Sequence, residues 1–278
     1  MYETPFHNTD LSKHSFLVTG GCGFIGSNIV EYLLKYKAGK VVVLDNISTG
    51  FKKNIEPFLG KPNFSFIEGD IINLETCKSA CRGIDFVNHQ AALGSVPRSV
   101  KDPVATHAVN ATGFLNMLVA AKDAGVKRVV YASSSSVYGD HPVLPKVEEE
   151  TGNPLSPYAV TKKTNELYAR VFGSTYKMEI IGLRYFNVFG PNQSPEGAYA
   201  AVIPLFMQAV INKTAPYIDG DGEQTRDFTF VENAVQANIR SFFAENKEAL
   251  NKVYNVADRK STRLNSSHSS VSRMPSSA

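Results

Sequence analysis

Ser15–Thr19 (SFLVT) is a short apolar run, and Lys40–Leu44 is a second that stops at Asp45. Asn63–Glu68 alternates apolar and polar residues, the two-residue period of a strand. Phe86–His89, Arg128–Ala132, Glu179–Tyr185 and Lys252–Val256 read as four more strands. Between strands the period lengthens. Phe24–Tyr36 carries Ile25, Ile29, Leu33 and Tyr36 at helical spacing, and Pro103–Ala124 and Tyr158–Tyr176 repeat that pattern. Strands alternating with amphipathic helices predict an α/β fold, a parallel sheet covered on both faces. Right-handed crossovers make it doubly wound. After Gly190 the pattern becomes irregular and rich in Pro, Gly, Asn and Asp, which predicts a second, smaller region. The expected organisation is an N-terminal tail (1–14), a main domain (15–187), a partial second domain (188–257) with some elements interleaved, and a stretch outside the fold (258–278).

The 278 residues are 43% hydrophobic and 20% charged, which excludes a disordered chain, a collagen-like repeat and a disulfide-rich miniprotein. The net charge of +3 sits in 258–278, where Arg259, Lys260, Arg263 and Arg273 face Asp258 alone. The remainder is neutral, so charge gives no argument for a nucleic-acid partner. No apolar run approaches the ~18 residues of a membrane span. Met1–His14 is polar and broken by Pro5, unlike a signal peptide. Three cysteines without an export signal point to a reducing cytoplasm. Cys77 and Cys81 could share a helix face, but no further ligands lie nearby and no metal is expected. Asp258–Ala278 is serine-rich without apolar periodicity. With suitable codons, Asp258–His268 and Ser272–Ala278 back-translate to the two ends of a common short-read library adapter. We therefore expect a non-native tail and a natural chain cut at about Ala257.

Thr19–Gly26 (TGGCGFIG) follows the first strand and opens the first helix. Gly20, Gly23 and Gly26 recur every three residues, while Gly21–Gly26 fits G-x-G-x-x-G, so the register stays open. Such a loop lets backbone approach a pyrophosphate at a helix N-terminus, the signature of a Rossmann-type dinucleotide site. Asp45 ends the second strand, where a carboxylate accepts both hydroxyls of an adenosine ribose and repels a 2′-phosphate. NAD is therefore expected rather than NADP. Asp70 and Ile71, after the third strand, are placed to flank the adenine.

Ser156–Lys162 (SPYAVTK) puts Tyr158 and Lys162 one helical turn apart on one face. An ammonium beside a phenol is expected to lower its pKa and make it a usable general base. Tyr131–Tyr138 (YASSSSVY) ends the fifth strand, where a serine hydroxyl could bridge phenol and substrate oxygen. The sequence does not choose among Ser133, Ser134, Ser135 and Ser136.

Over about Ser15–Ala257 these motifs resemble the extended short-chain dehydrogenase/reductase family. NHQAALGSVPRS (Asn88–Ser99), GDHPVLPKVEE (Gly139–Glu149), LRYFNVFGPNQ (Leu183–Gln193), GAYAAVIP (Gly197–Pro204) and IDGDGEQTRDF (Ile218–Phe228) are similar to bacterial UDP-N-acetylglucosamine 4-epimerases of surface-polysaccharide pathways. The resemblance implies a catalytic trio of Ser134, Tyr158 and Lys162. It implies cofactor contacts from Phe24, Ile25, Asn46, Ala91 and Tyr185 beside the glycines, Asp45, Asp70 and Ile71. Asn187, Arg226 and the Ala198–Ile203 loop, including Ala201 and Val202, would grip the nucleotide. Ser95, Val96 and Arg98, with Ser134 and Ser135, would line the sugar side. A UDP-sugar is then the partner, and a homodimer the expected assembly of the complete chain. The family's C-terminal region would complete the substrate domain. The chain is therefore expected to be an inactive fragment, with the apolar faces of Ala198–Val210 and Val231–Phe243 partly uncovered.

The resemblance leaves rivals. Sugar-nucleotide 4,6-dehydratases carry acids directly after the catalytic Ser/Thr, where this chain has Ser135 and Ser136. A UDP-uronate 4-epimerase would use Arg98 against a sugar carboxylate. A non-catalytic NAD-binding protein would not need the intact trio.

Overall fold

Ser15–Thr19 forms β1 in the computed structural model, which describes residues 1–195, 201–216 and 226–258. Next come α1 (Phe24–Lys35), β2 (Lys40–Asp45), β3 (Phe64–Glu68), α2 (Leu74–Cys81) and β4 (Phe86–His89). They are followed by α3 (Val96–Lys101), α4 (Pro103–His107), α5 (Gly113–Asp123), β5 (Arg128–Ser134), α6 (Pro157–Tyr176) and β6 (Ile180–Tyr185). The last elements are β7 (Val188–Phe189), α7 (Val202–Ile211), β8 (Thr229–Phe230), α8 (Val231–Phe242) and β9 (Lys252–Val256). The seven-stranded sheet runs β3-β2-β1-β4-β5-β6-β9 with every neighbour parallel, the doubly wound fold the pattern predicts.

Alternation along the strands builds two cores. Phe16, Val18, Val41 and Val43 face Ile29, Leu33, Val235 and Ile239 of α1 and α8. Leu17, Val42 and Leu44 face the opposite side, with Cys77, Met117, Leu118 and Phe172 of α2, α5 and α6. Because β2 and β4 flank β1, the crossovers leave it in opposite directions and a crevice opens at the strands' C-terminal ends. β9 returns from the last segment into this sheet, and β7 pairs with β8 beside it.

The helical run predicted over Pro103–Ala124 is real but interrupted. Ala108–Thr112 forms a π turn between α4 and α5. Taken together, Pro103–Asp123 is 21 residues long with mean hydropathy 1.2, enough by length and composition to cross a membrane. That corrects the expectation that no segment reaches this length. Half of the run is buried, and α5 packs on α2 and α6 as a core helix does.

α8 also departs from expectation. Val231, Ala234, Val235 and Ile239 are fully buried because α8 packs against α1. On α7, Met207, Val210 and Ile211 are exposed.

Residues 1–14, set apart above as a tail, lie along α1. Tyr2 is fully buried, and its hydroxyl donates to the Asn28 backbone oxygen at 3.1 Å. Its N–H donates to Glu232 Oε1 at 2.8 Å, and its carbonyl accepts from the Tyr36 hydroxyl at 2.8 Å. Tyr2→Ala should therefore cost ~3 kcal/mol in urea denaturation, as a deleted core aromatic does, and Tyr2→Phe only ~1 kcal/mol. Equal stability of Tyr2→Ala and the parent protein would show that the segment does not pack.

Candidate active site

A cavity of ≈ 540 Å³ opens where the crevice was expected, walled by the glycine loop, the ends of β2 and β5, and the start of α6. Gly20 has φ +70, and a Cβ there would lie 2.6 Å from the Ala91 nitrogen. A Cβ on Gly26 would lie 2.2 Å from the Gly20 oxygen, and Gly23 caps α1 without a side-chain bond. Gly20, Gly23 and Gly26 line the cavity, and Gly21 does not. Gly21 is needed for a different reason, close contact with Val43. Phe24, Ile25 and Gly26 line the cavity from the first turn of α1, whose opening N–H groups have no intrahelical acceptor.

Asp45 sits at the cavity's far end and is 8% exposed. Its Oδ2 accepts from Cys22 N–H at 2.9 Å and its Oδ1 from Ile47 N–H at 2.7 Å. Burial raises its pKa and these two bonds work against that rise. Each oxygen keeps a lone pair for a ribose hydroxyl. Asn46 donates to Asp70 Oδ2 at 2.8 Å, closing the adenine end, and Ile71 and Ala91 complete that wall. A cradle that excludes any Cβ, an open helix N-terminus and a buried carboxylate one strand away fit a dinucleotide.

Ser134 ends β5 and its Oγ accepts from Ser136 N–H at 3.1 Å. Tyr158 stands in the first turn of α6, which Ser156 caps through Ala159 N–H at 3.1 Å. Ser134, Tyr158 and Lys162 all line the cavity. Burial raises the Tyr158 pKa, and a hydrogen bond with Ser134 opposes it. Burial thus outweighs the lowering that Lys162 was expected to bring. Lys162 Nζ donates to the Ala132 oxygen at 2.8 Å and lies 5.8 Å from the Tyr158 ring centroid. Lys162 itself, 3% exposed, is pushed down to about 8 by burial, with Glu166 acting in the opposite direction. The four serines now separate. Ser133 borders the cavity, but its Oγ donates to Glu166 Oε1 at 2.6 Å; Ser135 and Ser136 do not line it.

On the sugar side, Ser95 lines the cavity and caps α3 by accepting from Arg98 N–H at 3.2 Å. Asn187, at φ +35, lines it too and donates to the Asp227 oxygen at 2.9 Å. Val96, Arg98, Ser135, Ala201, Val202 and Arg226 are outside the lining residues. Residues 198–200 of the expected gripping loop lie outside the described residues.

Several site residues escaped sequence reasoning. Asn110, in the π turn, bonds Leu93 N at 2.7 Å and Thr161 Oγ1 at 3.2 Å, tying the cavity loop to α6. Gln90 and Asn238 both donate to the Tyr185 hydroxyl, at 3.1 and 2.7 Å, fixing that ring at the cavity wall. Gly50 closes on the glycine loop, where a Cβ would lie 2.7 Å from the Cys22 carbonyl carbon. Only Glu166 left a signal, a carboxylate one turn beyond Lys162 on the same helix face.

Residues 16–257 match the NAD dependent epimerase/dehydratase family. A putative UDP-glucose 4-epimerase of Methanocaldococcus jannaschii is 37% identical over 251 residues, 90% of this chain and 78% of the relative. A UDP-N-acetylglucosamine 4-epimerase of Methanobrevibacter ruminantium M1, solved with UDP-N-acetylmuramic acid, superposes with a TM-score of 0.84 at 41% identity. That alignment covers 90% of this chain and 78% of the other. The Thermus thermophilus UDP-glucose 4-epimerase, solved with NAD, gives 0.78 at 36% identity over 88% and 78% of the two chains. With a family match over nearly its whole described length and a cavity shaped for a dinucleotide, the chain belongs to the NAD dependent epimerase/dehydratase family.

Proposed function

We propose that the protein is an NAD-dependent 4-epimerase of UDP-hexoses, with the UDP-GlcNAc/UDP-GalNAc pair as substrate and a transient 4-keto sugar. The observation that carries this reading is that Ser134, Tyr158 and Lys162 line the same cavity as the glycine cradle and Asp45. The N-acetyl assignment rests on the long motifs shared with UDP-N-acetylglucosamine 4-epimerases and on the 41% identity to one of them. Residues 15–187 would hold the cofactor, and 188–257 part of the substrate domain.

NAD, when bound, supplies a hydride acceptor that can return the hydride to either face of C4. The protein's own work is proton transfer and grip. Tyr158 takes the proton of the sugar 4-hydroxyl and returns it, with Ser134 holding both oxygens in line. Lys162, charged, favours the phenolate against the cost of burial. Asn187 and Arg226 hold the diphosphate end while the flat 4-keto sugar turns. The test incubates the protein with NAD and UDP-GlcNAc, UDP-glucose or UDP-glucuronate and separates the product sugars by chromatography. In a version carrying the family's C-terminal region, UDP-GalNAc should appear from UDP-GlcNAc, and Tyr158→Phe should cut turnover at least ~100-fold with UDP affinity little changed. Turnover of the uronate alone would overturn the substrate, and full activity in Tyr158→Phe would overturn the trio.

Asp45 tests the cofactor separately. Asp45→Ala should weaken NAD by ~1–3 kcal/mol in calorimetry, through lost charge-assisted hydrogen bonds. NADP bound as tightly as NAD by the unsubstituted protein would contradict the assignment.

A homodimer would use the outer face of α6. Val160, Leu167 and Val171 form one exposed stripe there, joined by Val100, Val104 and Leu155. A homodimer should sediment as such, and Leu167→Glu should give monomers. A monomeric parent protein would remove the dimer from the proposal. Cys22, Cys77 and Cys81 are free and buried, which supports a reducing cytoplasmic setting.

A further inference from the structure

We propose that Glu166 is a positioning residue for this reaction: clamped between Arg184 and Ser133, it sets the height of α6 against β5 and presents its buried negative charge to Lys162. The inference rests on the reading of Lys162 as the charge that supports Tyr158.

Glu166 is 6% exposed and Arg184 4%. The pair is bidentate, with Arg184 Nε on Oε1 and Nη2 on Oε2, both at 2.9 Å. Oε1 also accepts from Ser133 Oγ at 2.6 Å. Ser133 directly precedes Ser134, and Ala132, before it, receives Lys162. Two consecutive turns of α6 thus grip two consecutive residues of β5, and Tyr158 stands one turn further along, beside Ser134. Arg184 extends the clamp, donating to the Tyr138 hydroxyl at 2.9 Å, which donates to Asn255 Oδ1 on β9 at 2.6 Å.

A buried ion pair is a poor stabiliser, since desolvation offsets most of its attraction. Its value here is what it does to its neighbour. The groups coupled to Lys162 are Glu166 on α6 and His89 on β4, with the Tyr158 ring centroid 5.8 Å away. Burial holds His89 neutral, at about 3, with Lys162 adding to that shift. Burial likewise keeps Tyr131 and Tyr185 protonated. Glu166 is the one negative charge in that set, and it alone opposes the burial that pushes Lys162 down to about 8.

The test uses protein labelled with ¹³C-lysine, the Lys162 resonance being assigned with Lys162→Met. In Glu166→Gln the Lys162 midpoint should fall by about one pH unit. Because Lys162 is needed charged, turnover is lost as pH rises through its midpoint. The alkaline limb of kcat should therefore move to lower pH by the same amount, with KM little changed and activity recovered near pH 6. Glu166→Gln leaves Arg184 unpaired and can fail to fold. Glu166→Gln/Arg184→Gln leaves no orphaned charge, and because it also removes a cation its downward shift should be smaller than that of Glu166→Gln. A folded variant with an unmoved Lys162 midpoint overturns the inference. The NMR titration needs no substrate, so absence of turnover in the unsubstituted version carrying the family's C-terminal region counts against the proposed function and leaves this decision intact.

Discussion

A methyl group on Gly20 would lie 2.6 Å from the Ala91 nitrogen, and one on Gly26 2.2 Å from the Gly20 oxygen. Neither contact can be relieved by rotating a side chain, because both partners are backbone. β1, the start of α1 and the end of β4 therefore meet only if these positions carry no Cβ. That closeness brings the open end of α1 over the cavity, within one strand's width of Asp45. Beside it, the β1–β4 register sets Thr19 Oγ1 3.0 Å from His89 Nδ1. Substituting either glycine would separate the elements on which every other site residue depends.

Inside that enclosure, burial acts on acids and bases alike by favouring their neutral forms. It raises Tyr158 and Asp45 and lowers Lys162. The phenolate and ammonium that proton abstraction requires thus run against the low-dielectric surroundings, and specific partners must restore them. Ser134 does this for Tyr158, two backbone N–H groups for Asp45, and Glu166 for Lys162. Each partner comes from a different element from the group it assists, except Glu166, which shares α6 with Lys162.

The scaffold was legible because its signals are local. β1, β4 and β9 fall where their apolar runs do, and β5 runs two residues past Ala132 because Ser133 and Ser134 pair with β6 despite their hydroxyls. The π turn was not legible, since its cause lies in Asn110 reaching Leu93 and Thr161 rather than in the helical period. The same holds for Arg184. A basic residue in a strand reads as an edge or surface position until Glu166, eighteen residues away, is seen to bury it. The glycine register was undecidable by spacing alone, because Gly21 is also constrained, by Val43 from another strand.

How the described part of the site is held bears on how an epimerase must work. The cofactor side is built from parallel strands and two packed cores. The described part of the other side is joined to the same sheet. Asn187 bonds the Asp227 carbonyl, Thr229 N–H reaches the Asn187 oxygen at 3.3 Å, and Thr229 Oγ1 donates to the Val256 oxygen at 3.2 Å. α7 beyond them buries only Pro204 and Ala209. A 4-epimerase must keep its nucleotide fixed while the sugar presents both faces of C4 to one immobile cofactor face. Rigidity is needed under the dinucleotide, at Tyr158 and at Ser134, and the clamp around Glu166 supplies it there. On the sugar side the same rigidity would trap one face of the ketone. The parallel sheet and its two cores give Tyr158 and Ser134 the stiffness that inversion at C4 requires of them.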